Sequence, residues 1–385
     1  MNSRTVVLAG LVVVLAVGLG WAVWATRAKA PEGGTPTRTE QVNAFRPPPG
    51  APRTPVQAGP LTAQVAEFQL AIFHLPRPEQ SSVARAAVLA RGSRFEFLTS
   101  PATKPPETSV LYAHLESTKS YVVPVGEKFQ YTTRNLPEDM LQKLSSSEQV
   151  TVLDFRLSPP TVGDVRKAYA LAGDLAAATG GVLWDEETSE LFSLAAWNEK
   201  RLTGWDNSLP PGMRHFVMHL YEGSGGNGSF VTAGLAKFGL PDAAISNVPA
   251  SLQSQMAALT NVVAQVLIEQ PKVVEAGTVT VDLNAIAHQR LRESLLEAKR
   301  PEAPGKVTLG LVYSGKIGER ANPLVEVTFP ESLGGATVED RMRHAMEALF
   351  GKPESAAAAQ PEDAGTKGTR MGRPVEKPGQ AGAHK

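Results

Sequence analysis

Hydrophobic and polar residues follow three different patterns along the chain. Residues 5–25 form a run of 21 residues without a charged side chain, whereas residues 31–60 are rich in proline and residues 351–385 in Ala, Gly, Pro and Lys. Between them, short alternating apolar runs are interspersed with stretches of helical spacing. A period of two is typical of strands, and apolar positions three or four residues apart indicate amphipathic helices. The pattern predicts an α+β body behind an apolar N-terminal segment.

The apolar run from Thr5 to Ala25 is long enough to cross a membrane. At 1.5 Å rise per residue, a helix of this length measures about 31 Å, which matches the hydrocarbon core of a bilayer. Trp21 and Trp24 lie near its end, where aromatic belts meet lipid headgroups. The sequence Ala28-Lys29-Ala30 also fits the cleavage site of a signal peptide, but the run exceeds the roughly 7–15 residues of a signal h-region. We therefore expect a retained transmembrane helix.

The orientation of this helix follows from its position. Positive charges flank both ends of the run and hardly discriminate between orientations. The very short leading tail is typical of a signal-anchor, which predicts that the body lies on the exported, periplasmic side of a bacterial inner membrane. We therefore expect the chain to associate with the lipid bilayer, and an envelope protein is a further candidate partner.

The segments on either side of the body differ from it in composition. Residues 31–60 contain eight prolines, and proline favours extended backbone, so residues 26–60 are interpreted as a semi-rigid linker. Residues 351–385 lack the apolar content needed to form a core, and we expect a disordered tail.

The body divides into two predicted α+β units with mixed or antiparallel sheets. The first, residues 61–158, contains strand-like runs from Ala66 to Leu75 and from Glu148 to Leu157. The second, residues 159–350, opens with a capping box at Thr161 and Asp164, which predicts a helix that ends at Gly180-Gly181. Further elements are predicted after it: a hairpin pairing 182–184 with 190–192, a strand at 213–221, a helix at 251–269, a helix capped near Asp282, a hairpin at 307–314 and 324–329, and a final helix at 337–350.

Charge and cysteine content exclude several classes of function. The whole chain is formally neutral, but residues 61–350 carry 26 Lys and Arg against 32 Asp and Glu. A protein that neutralises phosphates needs a basic surface, so nucleic-acid binding is disfavoured. The chain has no cysteine, which excludes a disulfide framework and thiolate chemistry.

Two segments carry a resemblance to known proteins. TGGVLWDEETSELFSLAAWNEKRL, which begins at Thr179, and AGLAKFGLPD, which begins at Ala233, resemble segments of uncharacterised bacterial membrane-anchored proteins with a domain of unknown function. The resemblance covers roughly residues 160–270. It implies an α+β fold, and it implies no catalytic residues.

Two further motifs suggest chemistry that their context disfavours. His215 and His219 have the spacing of a helical metal site, but in a strand they would lie about 13 Å apart, too far to share one ion. The glycine-rich segment from Gly223 to Ser229 lacks the Lys-Ser/Thr pair of a phosphate-binding loop. We interpret it as a hairpin connection, and we predict neither a metal nor a cofactor.

A cluster of aromatic and acidic residues is the best candidate binding site. The three tryptophans of the body fall within 22 residues, beside several carboxylates. One interpretation is a core cluster with a solvated acidic hairpin tip. The alternative is a recognition surface for a cationic or sugar partner; its residues would be Trp184, Asp185, Glu187, Trp197 and Trp205.

The sequence thus predicts a membrane-tethered envelope protein that acts through binding or assembly without catalysis. The alternative is a hydrolase or a small-ligand-binding domain whose site is built from loops of the second unit. Its best candidate residues are Asp185, Glu187 and His219. A deep polar pocket joining these three side chains would favour the enzyme, and the sequence leaves the oligomeric state open.

Overall fold

Two six-stranded sheets organise the body. The computed structural model describes residues 61–75, 82–93, 95–101, 104, 106–124, 131–206, 208–317 and 322–353. Sheet 1 contains β1 (Ala66–Phe73), β2 (Glu96–Leu98), β3 (Val110–Ser117), β4 (Gln149–Leu157), β5 (Val182–Asp185) and β6 (Glu190–Phe192). Sheet 2 contains β7 (Val217–Glu222), β8 (Gly228–Ala233), β9 (Asp242–Val248), β10 (Thr278–Asp282), β11 (Lys306–Ile317) and β12 (Asn322–Thr328).

Both sheets are mixed, which confirms the predicted α+β class. The strand orders are β2-β3-β4-β1-β5-β6 and β10-β11-β12-β9-β8-β7. One neighbouring pair in each sheet is parallel, β2 with β3 and β9 with β12, and the other pairs are antiparallel. The predicted boundary at Ser158 does not coincide with a boundary between the two sheets. β5 and β6 follow Ser158 in the chain and still pair into sheet 1.

Helices cover the sheets and begin where the sequence provides caps. They are α1 (Ser82–Ser93), α2 (Glu138–Leu144), α3 (Val162–Thr179), α4 (Leu194–Trp197), α5 (Gln253–Glu269), α6 (Gln289–Ala298) and α7 (Val338–Phe350). At the start of α3, the Thr161 hydroxyl accepts a hydrogen bond from the Asp164 amide, and Gly180 ends the helix in the left-handed conformation. Both predicted ends of α3 are thereby confirmed.

The apolar residues form two clusters on opposite faces of sheet 1. The larger cluster contains the side chains that alternate to one face of β1, such as Phe68 and Leu70, together with buried residues of α1, α3, α5 and sheet 2. The smaller cluster lies on the other face of sheet 1, where Phe73, Val150 and Trp184 pack with Leu144 of α2. The larger core therefore joins the two sheets.

Two predicted elements form differently from what their sequences suggest. Residues 213–221 do not form one strand: a 3₁₀ turn occupies Gly212–Arg214, and β7 begins at Val217. Asp282 does not cap a helix, because its carboxylate accepts from the Asn284 amide in a turn at the end of β10. The next helix, α6, is instead capped by a ring nitrogen of His288, which accepts from the Leu291 amide.

Several predicted segments lie outside the described residues. These are the apolar run at 5–25, the linker at 26–60 and nearly all of the tail at 351–385. Of the helices that the structure describes, none combines the length and apolarity needed to cross a membrane.

Gly181 provides a test of how tightly sheet 1 is packed. A Cβ atom at this position would lie 2.3 Å from Cγ2 of Ile72 and 3.0 Å from the carbonyl oxygen of Phe73. We expect Gly181→Ala to lower the free energy of unfolding by about 1–3 kcal/mol, because the β1–β5 pair must move apart. Urea denaturation would measure this. Gly92→Ala is the matched control, since a Cβ atom there meets nothing within 4 Å. Equal effects of the two substitutions would contradict the prediction.

Candidate functional site

The β5–β6 hairpin points two carboxylates into the protein interior. β5 pairs with β6 in an antiparallel hairpin, as the sequence predicts, and the paired residues of β5 are Leu183, Trp184 and Asp185. Asp185 lies opposite both Leu70 and Glu190 in the sheet, so both carboxylates share the face that packs on the larger core. Asp185 is 0 % exposed and Glu190 is 3 % exposed. The interpretation of this turn as a solvated acidic tip is therefore wrong for these two residues.

Two cations from later segments meet Asp185. Arg201 lies in a π-helical turn, Asn198–Leu202, that follows α4, and Lys237 lies in the 3₁₀ turn Leu235–Phe238. The Arg201 Nε and the Lys237 Nζ each donate to Oδ2 of Asp185 at 3.0 Å. Both cationic residues are 1 % exposed or less. We call Asp185, Glu190, Arg201 and Lys237 the buried ion cluster.

The donors of Arg201 are distributed among four acceptors. Its Nη2 donates to Oε2 of Glu190 and to the Thr188 hydroxyl, both at 2.9 Å. Its Nη1 donates to the backbone carbonyl of Arg214. At the rim of the cluster, Arg134 contacts the other oxygen of Glu190. The guanidinium therefore joins the β5–β6 hairpin to the turn at Arg214, with a carboxylate on each side.

Aromatic rings enclose the buried ion cluster. The Arg201 guanidinium carbon lies 4.5 Å from the ring centroid of Phe192 and 5.9 Å from that of Trp197. The Lys237 Nζ lies 5.6 Å from the ring centroid of Tyr169 in α3. Ring faces carry negative charge density, so they stabilise both cations where water is excluded.

Two polar side chains beside the cluster have no hydrogen-bond partner. The Tyr169 hydroxyl and both ring nitrogens of His215 are buried and unpaired. The His215 ring stacks on Tyr169 with centroids 5.5 Å apart, and the edges of Trp205 and Phe238 enclose it. Few buried polar groups in proteins lack partners, so these atoms are a distinctive feature of the site.

Burial and neighbouring charges shift the pKa values in this region. Burial raises the pKa of Tyr169 well above its usual value, and burial lowers that of Lys237 although Asp185 opposes the change. Burial alone would raise the pKa of Glu190, but Arg201 and Arg134 lower it to about 2. Burial, followed by the charges of Arg201, Lys237 and Arg214, lowers the pKa of His215 well below its usual value. At neutral pH Glu190 is thus ionised and His215 is neutral.

The five residues of the predicted recognition surface do not share a surface. Trp184 packs in the smaller core on the far side of sheet 1, whereas Trp197 is fully buried in the larger core. Asp185 belongs to the buried ion cluster, and Glu187 and Trp205 are half-buried. Strand alternation explains the separation, because neighbouring residues of β5 point to opposite faces. Trp184 and Trp197 are core residues of two different clusters, and the half-buried Trp205 packs against the larger one.

The residues of the alternative enzyme site also lie away from a groove on sheet 1. His219 lies on β7, where its ring contacts Tyr131 and Tyr221. A groove of about 200 Å³ lies instead on sheet 1, near β2, β3 and β4. Its lining consists of Glu67, Phe68, Leu98, Pro101, Val110, Tyr112, Asp154, Phe155 and Arg156. Asp185, Glu187 and His219 do not line this groove. In the described part of the chain, no cluster of three or more acidic or histidine residues could hold a metal ion.

Sequence reasoning did not identify Arg201, Lys237, Tyr169 or the burial of His215. Arg201 and Lys237 follow Asp185 by 16 and 52 residues. The only sequence signal was indirect: the two segments that carried the resemblance supply Asp185, Arg201 and Lys237. Those segments meet in the structure to form the buried ion cluster.

Comparison of the chain with protein-family models, with characterised proteins and with solved structures gave no significant match.

A double-mutant cycle tests the pairing of Asp185 with Lys237. Asp185→Asn should lower the free energy of unfolding by about 3–5 kcal/mol, because it leaves a buried cation uncompensated. Adding Lys237→Met removes that cation, so the double variant should be more stable than Asp185→Asn alone. Urea denaturation of the two single variants and the double variant measures the coupling. Strictly additive losses would show that the two side chains do not depend on each other.

Glu190 predicts a loss of stability in acid. Its pKa is about 2 when folded and 4.5 when free, so its ionised form stabilises the fold above pH 4.5, and this contribution is lost as the pH falls towards 2. The difference corresponds to roughly 3 kcal/mol. Unfolding free energies measured between pH 6 and pH 2.5 should fall less steeply for Glu190→Gln than for the unmodified protein. Parallel pH profiles would contradict this assignment.

Proposed function

We propose that this protein is a membrane-tethered envelope protein that acts through binding or assembly and not through catalysis. In this proposal the apolar run at 5–25 holds the chain in the inner membrane, and the two-sheet body acts on the exported side. The proposal combines the sequence of the N-terminal segment with the chemistry of the body.

The observation that carries the proposal is the state of the charged groups in the interior. Asp185 is fully buried and bonded to two cations, and the donors of Arg201 go to the protein's own acceptors. A general acid or base must reach the proton that it transfers. To act as one, Asp185 would have to leave Arg201 and Lys237 behind as unpaired buried charges, which is strongly unfavourable. The cluster is therefore better suited to fix the fold than to turn over a substrate.

The surface supports a protein partner over a nucleic acid. The acidic excess of residues 61–350 disfavours phosphate backbones. Apolar side chains lie at the surface on three helices or strands, namely Val88 of α1, Val312 of β11 and Val338 of α7. Single exposed apolar residues are common on protein surfaces, so these three valines do not define an interface. They are suitable positions for attaching crosslinking probes.

The anchor has a direct test. We expect the full chain to stay in the membrane pellet after alkaline carbonate extraction, because its apolar run crosses the bilayer. A variant with Val13→Arg and Leu15→Arg should move to the soluble fraction, since a charge at the centre of a membrane helix costs about 2.5–3.5 kcal/mol per residue. Recovery of the unmodified chain in the soluble fraction, beginning near Pro31, would show that the segment is a cleaved signal.

Site-specific photo-crosslinking in intact cells tests binding. A photo-reactive amino acid replaces Val88, Val312 or Val338, one position at a time, in the full chain. We expect a discrete adduct with an envelope protein from some positions and none from others, because a specific partner covers only one face. The matched control carries the same probe in the Val13→Arg/Leu15→Arg chain, which should lose the adduct. Absence of an adduct at all three positions would contradict the proposal.

A further inference from the structure

His215 occupies the joint between the two sheets. Its backbone leads directly into β7, the edge strand of sheet 2. Its ring stacks on Tyr169 of α3, the helix that packs on sheet 1, at a centroid distance of 5.5 Å and an interplanar angle of 21°. Trp205 and Phe238 meet the same ring edge-on. One imidazole therefore fastens the start of β7 to the other half of the body.

The chemistry of this contact is unusual for a histidine. The residue is 0 % exposed, and neither ring nitrogen has a hydrogen-bond partner. An apolar ring of the same shape would fill the space without leaving a polar atom unsatisfied. The position thus carries a titratable group whose hydrogen-bonding capacity is unused in the closed structure.

The charges around the ring all oppose its protonation. Arg214 precedes it in the chain, Arg201 reaches it from the π-helical turn, and Lys237 reaches it from the 3₁₀ turn. The carboxylates Asp185 and Glu190 are already paired with Arg201, Lys237 and Arg134. The half-buried Glu187 acts on Tyr169 and Lys237, and no carboxylate in the described part of the chain acts on the His215 ring. Tyr169, the titratable residue of α3 in this contact, is neutral because burial raises its pKa. No counter-ion among these groups remains for an imidazolium.

We propose that His215 is an acid-sensitive latch, whose neutral ring holds the start of β7 against α3 and whose protonation releases it. The released ring gains a proton and hydration, and the joint loses the stack on Tyr169. Because β7 lies at the edge of sheet 2, it can detach while the other five strands stay paired. The latch depends only on the geometry at the joint and stands independently of the proposed function.

The direction and size of the effect follow from proton linkage. A solvated histidine has a pKa near 6.5, whereas the folded protein lowers the pKa of His215 well below that value. The open state therefore binds one more proton than the closed state as the pH falls below about 6.5. The opening equilibrium constant should then rise about fivefold over the first pH unit below 6.5 and approach tenfold per unit below that, until the folded group also titrates.

Hydrogen exchange followed by mass spectrometry can test the latch in the full chain, held in mild detergent. After correction for the intrinsic exchange rate, peptides that cover 165–175 and 215–222 should show opening constants that rise about fivefold from pH 6.5 to 5.5, because the open-state pKa of about 6.5 lies at the upper end of this range. Peptides from β11 and β12 should change less. In His215→Phe, which keeps the aromatic stack, the same peptides should show no such rise.

His344→Gln is the matched control. This histidine hydrogen-bonds the Leu333 carbonyl, away from the joint, so its removal should leave the pH dependence intact. Asp242 has an effect of opposite sign: burial raises its pKa to about 6, so its protonation stabilises the fold as the pH falls. This effect is the same in the unmodified protein, His215→Phe and His344→Gln, so it cancels when their pH profiles are compared. A flat pH profile in the unmodified chain, an undiminished rise in His215→Phe, or equal acceleration in every peptide would overturn the proposal.

Discussion

The structure depends on keeping two carboxylates and two cations paired in its interior. Moving charged groups out of water carries a large desolvation penalty, which is offset only when their partners and hydrogen bonds are correctly placed. Asp185, Glu190, Arg201 and Lys237 meet this requirement together, with Arg134 at the rim. Because these residues come from a hairpin, a π-helical turn and a 3₁₀ turn, pairing their charges also fixes how those segments meet.

This constraint explains the local geometry around the cluster. Continuing α4 as a π-helical turn sets the position of Arg201, and π-helical segments often occur where a side chain needs a particular direction. The 3₁₀ turn that presents Lys237 is followed by Asp242, which accepts bonds from Thr232, the Leu235 amide and Asn322. The buried ion cluster binds one side of the turn Leu235–Phe238, and the hydrogen bonds of Asp242 bind the other side. Together they link sheet 1 to β9 of sheet 2.

The buried ion cluster bears on where the protein could interact with other molecules. Asp185, the one candidate residue from the sequence that lies in the buried ion cluster, binds two cations of the protein itself. The proposed binding role is therefore assigned to the outer surface. His215 is the exception within the interior, because the closed structure leaves its ring nitrogens unsatisfied. A group whose protonation is opposed by three cations can convert a change in pH into opening at one joint, while the paired charges around it keep the rest of the body closed.

Local physics made much of the architecture predictable from the sequence. Dense apolar, strand-like runs indicated β1 and β4, the Thr161 capping box and Gly180 bounded α3, and the glycine-rich segment indicated the β7–β8 connection. The candidate site was not predictable in this way. Four acidic residues in one turn suggest a solvated tip, and only the pairing of β5 with β1 directs Asp185 inward. Its partner Lys237 lies 52 residues away, and no local pattern specifies which distant cation will meet a buried carboxylate. The sequence by itself therefore determined most of the elements and both ends of α3, whereas tertiary packing decided which charges are buried and what they contact.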